Sequence, residues 1–289
     1  MVEQEATGLH YLALVTDLLQ RSRLATDEGG VWEAADLQWS WRRDQHRDPA
    51  NARFWLDDGG LPVGAVVVTE YSTVTGVDVI AMPDQAELAR SEMWPHALGR
   101  MPRLRELPIE IAVNDDDVDT AALLGDSGFV VIEPTAMSCW MPAAERAAVP
   151  AIASGYRLRS TAELPTNPHH MATRNGPHVA ERLLECSLYR PELDLYIEGP
   201  DGDVAGYALF WADPITRVGL LEPMRTEDRH QHKGLGTHLV RVGLELLAQH
   251  GCTRLKVTYL EDNEPARLLY TGSGFHPCTP SRTYRRIQP

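Results

Sequence analysis

The stretch Val218-Gly-Leu-Leu-Glu-Pro-Met-Arg-Thr-Glu-Asp-Arg-His-Gln-His-Lys-Gly-Leu-Gly-Thr-His-Leu-Val240 passes from an apolar run, through a polar loop with two glycines, into a segment whose apolar residues recur at helical spacing. Leu239, Val240, Leu244 and Leu247 carry that spacing, so the order is strand, glycine loop, helix. The first N–H groups of a helix have no intrahelical partner, and the positive end of the helix dipole lies behind them. Such a terminus holds an anion, and glycine lets the backbone approach it closely. Gly234 and Gly236 fill that role here, with Arg229, His230 and Lys233 expected as a cationic rim. The loop has neither the Lys-Ser/Thr ending of a P-loop nor the third glycine of a dinucleotide fingerprint.

Working outward, Gly251 ends the helix, Arg254-Leu-Lys-Val-Thr-Tyr259 reads as a strand, and Asn263-Glu-Pro-Ala-Arg-Leu-Leu-Tyr270 reads as a second helix before Gly274-Phe275. Upstream, Asp201–Phe210 is a turn feeding an apolar strand, and Asp58–Val68 reads the same way. Leu255-Lys-Val257 with Gly274-Phe275, and Ile109-Glu-Ile111 with Gly128-Phe129, repeat at an offset of 146 residues. A duplicated unit follows, each copy an α/β (α+β) mixed sheet flanked by helices. Pro142–Pro150 lacks strand alternation, which places the expected boundary between domains 1–150 and 151–289.

The order Gln231-x-x-Gly234-x-Gly236, followed by Asn263-x-x-Ala266-x-x-Leu269-Tyr270, resembles the GNAT superfamily of N-acetyltransferases. Two copies in one chain are similar in layout to tandem acetyltransferases of the mycothiol synthase type. The resemblance implies acetyl-CoA as cosubstrate, its pyrophosphate on Gln231, His232, Lys233, Gly234, Leu235, Gly236 and Thr237, and its pantetheine arm along Met224, Arg225 and Thr226, with Asn263 nearby. It also implies direct acyl transfer to an amine, with Tyr270 as the acid that protonates the leaving thiolate. Alternation along Val218, Leu220, Glu222 and Met224 sets Glu222 among apolar neighbours, as general base or as the partner of Arg217 or Arg225.

The first copy departs from this pattern. Where the loop should be it has Val79-Ile-Ala-Met-Pro-Asp-Gln-Ala-Glu-Leu-Ala-Arg90, with no glycine, and the offset sets Leu124 opposite Tyr270 and Asp117 opposite Asn263. It reads as a degenerate, noncatalytic GNAT-like domain. Its Trp32, Trp39, Trp41, Phe54 and Trp55 suit either core packing or an acceptor wall.

A net charge of −14 opposes nucleic acid and anionic membranes and favours a cationic acceptor, small amine or peptide amine. No apolar run approaches the ~18 residues of a membrane span, and no leader is evident, so a cytoplasmic monomer or homodimer is expected. His169, His170 and His178 read as surface residues, and the four scattered cysteines give no zinc spacing, so no metal is expected. The competing function is a noncatalytic acyl-CoA-binding regulatory module.

Overall fold

A computed structural model describes residues 1–26, 30–42, 52–101 and 107–286. The first half contains β1 (Val2–Ala6), α1 (Gly8–Ala25), α2 (Ala34–Ser40), β2 (Ala52–Leu56), β3 (Pro62–Glu70), β4 (Thr75–Ala81), α3 (Ala86–Leu88), α4 (Trp94–Arg100), β5 (Ile109–Asn114), α5 (Val118–Asp126) and β6 (Val130–Pro142). The second contains β7 (Arg157–Ser160), α6 (Ala172–Asn175), α7 (Val179–Leu184), β8 (Asp194–Glu198), β9 (Val204–Ala212), β10 (Val218–Thr226), α8 (Leu235–Gln249), β11 (Arg254–Leu260), α9 (Glu264–Thr271) and β12 (His276–Arg286). No helix among the described residues is long and apolar enough to cross a membrane.

Two compact units form, but they do not divide at residue 150. The first is Met1–Ala136 together with Pro280–Pro289, and the second is Met137–Thr279. In the first unit the sheet runs β1-β2-β3-β4-β5 and is closed by β12, whose Ser281–Arg286 pair antiparallel with Asn114–Ile109. In the second it runs β7-β8-β9-β10-β11 and is closed by β6. Each closing strand is thus supplied by the other half of the chain. In the sequence, Phe129-Val-Val-Ile132 at the start of β6 reads as the short apolar strand that closes the first copy, but which sheet a strand completes is a non-local choice.

Both sheets share one device. The central parallel pair forms over a few residues only: Thr75 and Gly76 with Ile109 and Glu110 in the first unit, and Val218–Leu220 with Arg254–Lys256 in the second. The duplication also shows in the helix caps. The Asp117 carboxylate accepts from Thr120 N–H at 3.1 Å, and Asn263 Oδ1 accepts from Ala266 N–H at 3.2 Å. Leu124, the counterpart of Tyr270, is fully buried in the first unit's core. Trp39, Trp41, Phe54 and Trp55 are likewise buried, and the Trp32 indole donates to Asp78 at 2.9 Å.

Helix α8 lies on β9 at Gly243, the second of the two glycines in its sequence. A Cβ at Gly243 would stand 1.9 Å from Phe210 Cζ, inside a fully buried ring. Gly243→Ala is expected to destabilise the second unit by about 1–3 kcal/mol through overpacking, seen as a lower urea midpoint; an unchanged midpoint would mean the helix stands farther from the sheet.

Candidate functional site

The site begins where β10 leaves its partners. Pairing with β9 shifts register between Leu221 and Met224, so Glu222 and Pro223 form a bulge. This corrects the alternation read from sequence: Met224 packs against the cluster that contains Leu221, not with Leu220. A proline cannot donate to a ladder, and this one marks where regular pairing fails. The Glu222 carbonyl accepts from the Trp211 indole at 2.7 Å, which fixes the bulge.

Past Leu220 and Lys256 the strands part, and a cleft of about 630 Å³ opens beside α8 and α9. Met224, Arg225, Thr226, Gln231, His232, Gly234, Leu235, Gly236, Thr237, Asn263 and Tyr270 all line it. Lys233 and Glu222 are not among its walls. Gly234 precedes α8 with φ +75, a left-handed conformation that glycine adopts without strain, and His232 also has a positive φ of 60. The first helical bond is His238 N–H to the Gly234 carbonyl at 3.0 Å, so the N–H groups before it belong to the unpaired helix start. A Cβ at Gly236 would meet Met224 Cε at 3.2 Å and Thr226 Oγ1 at 3.4 Å. The loop therefore has the form of an anion cradle, and it fits a pyrophosphate.

Tyr270 lines the same cleft, 8% exposed, its hydroxyl 3.9 Å from Met224 Sδ. Burial pushes its phenol well above the ordinary tyrosine range, with the charges of Glu222 and Cys139 adding to the shift. Asn263 spends its amide oxygen on the helix cap.

The basic residues around the loop are not arranged as the sequence suggests. Lys233 donates to the Arg229 carbonyl at 2.9 Å, and Arg229 and His230 both turn to Asp203. Arg225 pairs with Glu227 at 3.3 Å and Asp228 at 3.0 Å. Asp203 was invisible to sequence reading because it lies on the β8–β9 turn, remote in sequence from the loop. Burial alone would raise its pKa, yet the hydrogen bond from His230 and the charge of Arg229 hold it below the usual carboxylate range.

His169 and His170 are also not surface residues. Their rings stack at 4.2 Å, and His170 lies 5.0 Å from Tyr196. His169 Nε2 is 3.1 Å and His170 Nε2 2.9 Å from the two oxygens of the fully buried Asp194, and the Tyr189 hydroxyl donates to the same carboxylate at 2.8 Å. Burial works against that charge, but the two imidazoles outweigh it and lower the Asp194 pKa to about 2. The three side chains are near enough to share an ion. However, the Met171 backbone N–H donates to His169 Nδ1 at 3.3 Å, which leaves His169 Nε2 carrying a hydrogen toward Asp194 rather than a lone pair. The cluster anchors the segment before α6 onto β8. His178 is exposed and pairs with Glu181 at 3.3 Å.

Residues 159–275 match the Acetyltransferase (GNAT) family. A Bacillus subtilis (strain 168) protein named Uncharacterized N-acetyltransferase YsnE is 30% identical over 119 residues, 40% of this chain and 78% of the relative. Among solved structures, a tandem GNAT protein from the clavulanic acid biosynthesis pathway superposes with a TM-score of 0.70 at 18% identity, covering 100% of this chain and 99% of that one. A GCN5-related N-acetyltransferase from Sphaerobacter thermophilus gives 0.65 at 15% identity, over 100% and 96% of the two chains. These two structural likenesses are of fold: tandem mixed sheets with flanking helices.

Proposed function

The chain belongs to the GNAT family of acetyltransferases, and on that premise we propose that its second unit moves an acetyl group from acetyl-CoA directly to the amine of a small or peptide acceptor. The observation that carries this reading is the cleft itself: a glycine-started helix N-terminus and a buried phenol line one opening, where two parallel strands have parted. Acetyl-CoA supplies an activated acyl thioester. The N–H groups around Gly234, Leu235 and Gly236 would hold its pyrophosphate, and the freed edge of Met224–Thr226 would pair with the pantetheine amides. Tyr270, kept protonated by burial, would donate its hydroxyl proton as the thiolate departs. Glu222 raises the Tyr270 pKa, so its charge acts close to the reacting end, in keeping with a role in taking the acceptor's proton directly or through water. The net charge of −14 draws cationic acceptors toward the protein.

The first unit keeps the divided sheet but replaces the glycine loop by Met82–Gln85 and α3, and we assign it no catalytic role. Calorimetric titration of the full chain with acetyl-CoA is expected to show one site, followed by acetylation of members of an amine panel. Two sites would give the first unit a cofactor of its own, and no binding of any acyl-CoA would end the enzyme reading.

A further inference from the structure

A tight bracket of side chains holds the entry to the phosphate-binding loop, with His230 also among the residues that line the cleft. His230, in the short helical turn that enters the loop, is 6% exposed. Its Nε2 lies 2.8 Å from Asp203 Oδ2 and its Nδ1 3.1 Å from the Tyr156 hydroxyl. The Tyr156 and His230 rings meet edge-on at 5.7 Å and 89°. Arg229 reaches the same Asp203 oxygen, and Lys233 closes the loop by donating to the Arg229 carbonyl, its Nζ 5.8 Å over the Tyr156 ring. Room for the carboxylate exists only because residue 199 is glycine: a Cβ there would stand 2.6 Å from Asp203 Oδ1 and 3.2 Å from His230 Cε1. Two segments remote in sequence, one at Tyr156 and one carrying Gly199 and Asp203, therefore converge on the residue just before Gln231.

We infer that His230 and Asp203 are positioning residues that hold the loop in its phosphate-binding shape before the cofactor arrives. The physical argument is preorganisation. Backbone N–H groups bind an anion well only if they already converge, since ordering a loop at the moment of binding subtracts from affinity. Here Lys233 and Arg229, which would otherwise attract phosphate by charge, are committed to a carbonyl and a carboxylate. The shape of the loop must then supply more of the affinity, and the bracket sets that shape through Asp203, which is not among the residues lining the cleft. This inference rests on the acetyltransferase reading of the cleft.

The test compares dissociation constants of the full chain for acetyl-CoA and for S-acetylpantetheine, which carries the thioester arm but no pyrophosphate. Asp203→Asn and His230→Ala are each expected to weaken acetyl-CoA about tenfold and leave S-acetylpantetheine unchanged. The double variant should lose little more than either single one, because both break the same chain of bonds. His230→Gln, which can still donate to Asp203, should recover part of the loss. Tyr156→Phe removes only a hydroxyl and serves if a His230 variant does not fold. Equal weakening of both donors, or no weakening of acetyl-CoA, overturns the inference. Failure of the unaltered chain to bind acetyl-CoA instead overturns the acetyltransferase reading on which it rests.

Discussion

Tyr270→Phe is expected to lower kcat by about 10²–10³ while leaving the dissociation constant for acetyl-CoA within about twofold, the size of effect typical of a single general acid. The substitution removes one oxygen and keeps the ring, which packs 6.4 Å from Tyr259 and 6.3 Å from Phe275, so the wall of the cleft survives. What is lost is the proton donor of the proposed reaction. A raised pKa makes a phenol a weaker acid, but it also keeps the proton in place throughout the neutral range. In the proposed reaction the departing thiolate would form beside the same buried ring, where desolvation would raise its basicity too. The two shifts run in the same direction, so transfer stays feasible. The measurement is steady-state kinetics with any acceptor found in the amine panel, alongside calorimetry with acetyl-CoA. An unchanged kcat removes Tyr270 from the mechanism. An unaltered chain that binds acetyl-CoA and acetylates nothing favours the regulatory module instead.

The loop was legible in the sequence because its requirements are local. Gly234 needs a positive φ and Gly236 needs room beside Met224 and Thr226, and no other residue type supplies both freedoms. The helix after it declares itself through Leu239, Val240, Leu244 and Leu247, all buried. Three things were hidden, and each depends on a distant partner. The start of β6 reads as a strand, but which sheet β6 and β12 complete is decided by pairing across more than a hundred residues. His169 and His170 look like surface residues beside a proline until Asp194, the first residue of β8, draws both rings inward. Arg229 and His230 look like phosphate ligands until Asp203 claims them. In the last two cases a polar side chain follows a carboxylate from another segment, and spacing along the chain carries no record of that.

Replacing Gly234 and Gly236 together by aspartate is expected to weaken acetyl-CoA binding by at least about 100-fold, and two independent effects contribute. The first is conformational: Gly234 has φ +75, where a residue with a Cβ costs roughly 1–2 kcal/mol. The second is electrostatic. A carboxylate about 4 Å from a phosphate charge costs roughly 4 kcal/mol at the effective dielectric of a protein surface, before the loss of close backbone approach is counted. Gly236→Ala separates the terms, since its methyl meets the movable end of Met224 at 3.2 Å and adds no charge; about a tenfold loss is expected there. Titration of both variants with acetyl-CoA and with S-acetylpantetheine locates the effect, because only the former reaches the loop through its pyrophosphate. A double variant that keeps its melting temperature and binds acetyl-CoA as tightly as the unaltered chain would move the phosphate site elsewhere. The glycines would then serve only to bring α8 against β10, a role that the contact of Gly236 with Thr226 already allows.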